Sequence, residues 1–109
     1  ARHPVIRSYV YVGDIINAVV GWLLQAKQET LIFDVSSSQM IEIGELAEQI
    51  CRLTDRDSTA IVRDYDSSLP ADRYVGEETV FEKLYRVPNK RGLLLEEQIR
   101  LTYNYMRLA

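Results

Sequence analysis

The chain has 109 residues, 47% of them hydrophobic and 27% charged, with a formal net charge of −3. That allows one domain with one modest core and an ordinary globular composition that excludes wholesale disorder. The slightly acidic balance argues against a nucleic-acid surface, and a single cysteine (Cys51) with a single histidine (His3) excludes a disulfide framework or a His/Cys metal cluster.

Residues 1–6 hold Arg2, His3 and Pro4 instead of a basic region followed by an apolar one. No signal peptide is read there, and the cytoplasm is the expected compartment. The chain opens on alanine and runs almost at once into a strand, so it reads as a piece of a longer protein. Residues 5–12 are rich in β-branched and aromatic types and predict that strand. Asp14 follows as the expected N-cap. The helix behind it carries Ile15, Ile16, Val19, Val20, Leu23 and Leu24 as an apolar stripe, with Trp22 off the stripe. Ile15 to Leu24 is too short to cross a bilayer, so no membrane partner is expected.

Thr30 to Val35 predicts a second strand, apolar enough for burial on both faces. A polar turn follows at 36–38, then a brief extended piece at Met40 to Ile43. The spacing of Ile43, Leu46, Ala47, Ile50 and Leu53 predicts a second helix from Gly44, with Glu42 and Glu45 near its positive end. Serine or threonine would be the better cap at 42. Ser58 to Arg63 predicts a third strand and 64–73 a loop. Helices are predicted over 77–86 and over Leu95 to Leu108, the latter with Leu95, Ile99, Thr102 and Met106 on one side. The expected fold class is α/β: a small single domain, 1–109, of about three short strands and four helices.

The chemistry is bounded by absences. No Gly-x-Gly-x-x-Gly loop is present to cradle a dinucleotide pyrophosphate. No Tyr-x-x-x-Lys occurs, and His3, Cys51 and the serines form no recognisable nucleophilic set. Catalysis by this chain alone is not expected. Asp14 is explained as a cap, and Cys51 as an inert thiol buried beside Ile50. Lys83, Arg86, Lys90 and Arg91 read as a solvated face, and no role is read for His3.

The string Arg7-Ser8-Tyr9-Val10-Tyr11-Val12-Gly13-Asp14 resembles the Arg-x-Phe/Tyr-x-Tyr-Val-x-Asp signature in the C-terminal part of extended short-chain dehydrogenase/reductases, the NAD-dependent nucleotide-sugar epimerases and dehydratases. The same family continues with a strand of the type found at Leu31 to Ser37 and a segment similar to Ile41 to Ile50. Asp72-Arg73-Tyr74-Val75-Gly76 and a closing helix like Leu95 to Tyr105 come next. The resemblance spans nearly the whole chain in order. Gly13, Asp34, Gly76 and Tyr85-Arg86 depart from the family's usual acidic residue, asparagine, proline and Leu-Gly.

The resemblance implies the substrate-binding C-terminal lobe of such an enzyme, without its Rossmann domain. The parent would use NAD(P), accepting hydride from a carbon of a nucleoside diphosphate sugar to give a keto intermediate that is isomerised or dehydrated. No cofactor would sit on this chain; its partners would be the nucleotide sugar and the absent Rossmann domain. Arg7 is then the expected diphosphate contact, its planar fork matching phosphate oxygens. By residue type alone it reads as a surface cation paired with a nearby carboxylate. Arg73 is open between a second clamp and a surface charge. The rival readings are a stand-alone, non-catalytic binding or regulatory module of the same fold, and a scaffold presenting an apolar patch to a partner protein.

Overall fold

In the computed structural model, which describes residues 1–25, 30–37, 39–77 and 92–109, the chain is a small α/β domain. Its elements run β1 (Val5–Ser8), α1 (Val12–Leu24), β2 (Met40–Glu42), α2 (Ile43–Leu53), a single 3-10 turn (Ser58–Ala60), β3 (Asp72–Tyr74) and α3 (Leu95–Leu108). The described residues therefore hold three α-helices; the helix expected over 77–86 and the basic cluster 83–91 lie outside them, apart from Glu77. The sheet is mixed, in the order β2-β1-β3. β1 pairs antiparallel with β2, setting Ile6 against Glu42 and Ser8 against Met40. It pairs parallel with β3, setting Val5 against Asp72 and Arg7 against Tyr74. Among the described residues no helix is long and apolar enough to cross a membrane.

Several sequence expectations change. The first strand stops at Ser8 instead of Val12, because the chain turns into α1 early. The Tyr11 carbonyl accepts from Asp14 N at 2.9 Å and Ile15 N at 3.3 Å, and no side chain caps this helix. Asp14 is not the N-cap. It lies in the first turn, only 4% exposed, and its carboxylate accepts from Leu93 N at 2.9 Å. A backbone donor beside α3 thus finds its acceptor on a side chain of the first turn of α1.

Residues 30–35 form no strand. Ile32 is 92% exposed, Ser36 beyond it is buried, and its Oγ shares a hydrogen bond with Ser8 Oγ at 2.8 Å. The third strand expected at 58–63 is replaced by the 3-10 turn, which Asp57 caps by accepting from Thr59 N at 2.9 Å. The actual third strand, β3, falls where a loop was expected; its amide at Asp72 also donates to the Pro4 carbonyl at 2.8 Å.

The helix at 43–53 forms as the periodicity predicts. Glu42 caps it, accepting from Gly44 N at 2.7 Å. It ends with Arg56 N donating to the Cys51 carbonyl at 2.8 Å while Asp55 takes φ 55°, a left-handed position usually given to glycine. Cys51 is half-buried, not enclosed. At the start of α3 the Glu97 carboxylate accepts from Leu94 N at 2.6 Å, Leu95 N donates to Gln39 Oε1, and buried Gln98 donates to the Leu93 carbonyl at 2.8 Å.

The core is small. Among the described residues the buried hydrophobic side chains are Val5 and Ile41 from the sheet, Ala18 from α1 and Leu95 from α3. α1 buries the side away from its apolar stripe. Asp14 and Ala18, spaced i, i+4, are the buried pair, with Trp22 half-buried one turn on, while Ile16, Val19, Val20, Leu23 and Leu24 stand 44–80% exposed. The helix buries its small and polar residues, Asp14 against the backbone at Leu93, and leaves its apolar stripe exposed.

Candidate functional site

The two arginines singled out by sequence come from neighbouring strands. In a pleated sheet, residues in register share a face and successive residues alternate. Val5, Arg7, Ile41, Asp72 and Tyr74 therefore project to one side, and Ile6, Ser8, Met40, Glu42 and Arg73 to the other. The contacts agree. Arg7 pairs with Asp72 at 2.7 Å, while Arg73 Nη2 lies 2.9 Å from Met40 Sδ. The fold brings the two arginines within one strand spacing but aims them apart, so they do not form a two-pronged clamp.

Arg7 is held more firmly than Arg73. Its Nη2 donates to Asp72 Oδ2, and its Nη1 donates to the carbonyls of Ile6 at 2.9 Å and Asp72 at 3.0 Å. The hydrogen bond from Arg7 holds the Asp72 carboxyl below the usual carboxylate range, against an opposing desolvation. Opposite Arg7 in register stands Tyr74, 71% exposed. A half-buried guanidinium beside an exposed aromatic on an edge strand is a surface at which an anionic, ring-bearing ligand can be met from solvent.

A second ionic cluster was not singled out by sequence. Glu42 Oε1 accepts from Val5 N at 3.1 Å and Arg63 Nη2 at 2.7 Å; Oε2 accepts from Gly44 N and Arg63 Nη1, both at 2.7 Å. The Arg63 guanidinium also lies 4.2 Å from the centroid of the Tyr65 ring and donates to the His3 carbonyl. The bonds from Arg63 above all, helped by the two backbone donors, lower the Glu42 carboxyl from 4.5 to about 2. With every carboxylate bond spoken for, this cluster fastens β1, α2 and the segment after the 3-10 turn together instead of offering a ligand site. The signal that could have found it is an acid directly before an apolar helix whose second residue is glycine.

A hollow of about 450 Å³ opens between the β1–α1 junction and helices α2 and α3, walled by Tyr9, Tyr11, Leu46, Ile50, Leu95 and Tyr103 among others. It is apolar. Among the described residues no group of three or more His, Cys, Asp or Glu is placed to hold a metal ion.

No family model, curated protein or solved structure matches this chain. The functional reading therefore rests on its own residues and their arrangement.

Proposed function

We propose that the chain is the nucleotide-sugar-binding lobe of an NAD-dependent nucleoside diphosphate sugar epimerase or dehydratase of the extended short-chain dehydrogenase/reductase type. The observation that carries the reading is the ordered set of signature-like segments, from Arg7–Asp14 through 31–37, 41–50 and 72–76 to 95–105. Arg7 meets the diphosphate, its guanidinium fixed on the central strand by two backbone carbonyls so that little orientational freedom is lost on binding. Arg73, on the other sheet face, takes no part in that contact. NAD(P), held by a separate Rossmann domain, supplies the hydride acceptor; no residue of this chain is assigned to it.

The outward stripe of α1 supports a lobe rather than a self-sufficient module. A free-standing domain of this size buries its largest apolar side chains, whereas here Leu23 and Leu24 are 70% and 80% exposed. Sequencing the coding DNA upstream of the Ala1 codon tests the proposal. An open frame encoding a glycine-rich strand-to-helix turn and a later Tyr-x-x-x-Lys is the expected result. A start codon immediately before Ala1 overturns it and leaves the stand-alone binding module.

A further inference from the structure

The anion seat of Arg7 already has an occupant. Three of the five guanidinium N–H groups are engaged: two from Nη1 on the carbonyls of Ile6 and Asp72, one from Nη2 on Asp72 Oδ2. The carbonyls belong to paired strands and stay where they are. The carboxylate is different. Its side chain is 53% exposed, on a three-residue edge strand whose residues are all exposed, and it presents to Arg7 the kind of oxygen that a phosphate would present.

We propose that the Asp72 carboxylate is a built-in competitor at Arg7, and that a diphosphate binds there by displacing it, so that Asp72 sets how tightly this lobe holds phosphate. The inference rests on the assignment of Arg7 to the diphosphate. An exposed ion pair of this kind is weak enough to yield to a ligand of higher charge. A carboxylate left beside the bound phosphate repels it across a few ångströms. Once Asp72 leaves, the Nη1 bonds still aim the guanidinium, and Nη2 and Nε are free to hold two phosphate oxygens.

Asp72→Asn removes the charge but keeps an oxygen for Nη2, so Arg7 stays in place. The test is a titration of the 109-residue chain and its D72N and R7Q variants with inorganic pyrophosphate at fixed ionic strength. The amide resonances of Arg7 and Tyr74 report binding at this site rather than elsewhere, and thermal melts verify that each variant is folded. D72N is expected to bind roughly 3- to 10-fold more tightly than the parent chain, and R7Q to lose the response. If R7Q loses binding while D72N binds equally or more weakly, the competitor role is overturned and Arg7 remains the phosphate contact. If R7Q behaves as the parent does, including no response from either at tens of millimolar, the assignment of Arg7 falls and this inference falls with it.

Discussion

Replacing Glu42 with glutamine should unfasten the N-terminal half of the domain. The carboxylate receives four N–H donors on two oxygens: Val5 N and Arg63 Nη2 on one, Gly44 N and Arg63 Nη1 on the other. A glutamine amide has one oxygen to accept with, and its NH2 group must face two donors. One half-buried donor left without a partner costs about 1–3 kcal/mol, and the Arg63 guanidinium, 17% exposed, also loses its counter-charge. The pH linkage gives a second route to the magnitude. A fall from 4.5 to about 2, at about 1.4 kcal/mol per pH unit, corresponds to roughly 3 kcal/mol, and the water on one side of the pair reduces this to roughly 2. The carboxyl is depressed on folding, so its contribution is complete above pH 4.5 and disappears as pH falls toward 2. Urea unfolding followed by far-ultraviolet circular dichroism, at pH 7 and in steps down to pH 2, should show Glu42→Gln about 2–3 kcal/mol less stable at neutrality. The gap between the two proteins should close toward pH 2. A difference below about 0.5 kcal/mol at pH 7, or one that does not change with pH, would refute the reasoning.

Asp55→Gly should stabilise the chain by about 0.5–1 kcal/mol, because the φ of 55° at the end of α2 strains an aspartate and suits a glycine; equal melting temperatures would contradict this. Asp14→Ala removes the acceptor of Leu93 N from a site only 4% exposed. It should cost about 1–3 kcal/mol and speed hydrogen exchange at the Leu93 amide, and an unchanged exchange rate would show that the bond contributes nothing. The double variant Leu23→Glu, Leu24→Glu alters residues 70% and 80% exposed. It should leave the melting temperature within a few degrees while reducing self-association and the binding of dyes for apolar surface. Substantial unfolding would mean that the α1 stripe is covered within the chain itself.

The sequence was most legible where local spacing decides the structure. Helices α2 and α3 follow from apolar residues at helical intervals, and the entry into α2 at Ile43 from the acids around it. Pairing was less legible because it depends on distant residues. β3 is three exposed residues with no strand pattern of its own, defined only by its register on β1. The apolar run at 30–35 looked like a buried strand, but hydropathy alone does not say which neighbour will bury it, and Ile32 points into solvent. The stripe on α1 is legible from its spacing, but spacing does not say which side of the helix the domain covers, and here the stripe is exposed. At the candidate site, Arg7 could be singled out from its position in a signature-like string. Its pairing with Asp72 could not, since the two are 65 residues apart in sequence. The opposite facing of Arg73 required the sheet register, which no local pattern supplies.

The position of β1 at the centre of the sheet also bears on how the protein is made. Its two neighbours are supplied late: the bond from Val5 to Glu42 spans 37 residues, and that from Arg7 to Asp72 spans 65. During synthesis β1 leaves the ribosome with one edge unpaired until β2 follows, and the other until β3 follows. Closing these long loops is an entropic cost met before the contacts repay it. α1 can therefore coil early, but the sheet that anchors Arg7 completes only once Asp72–Tyr74 has emerged.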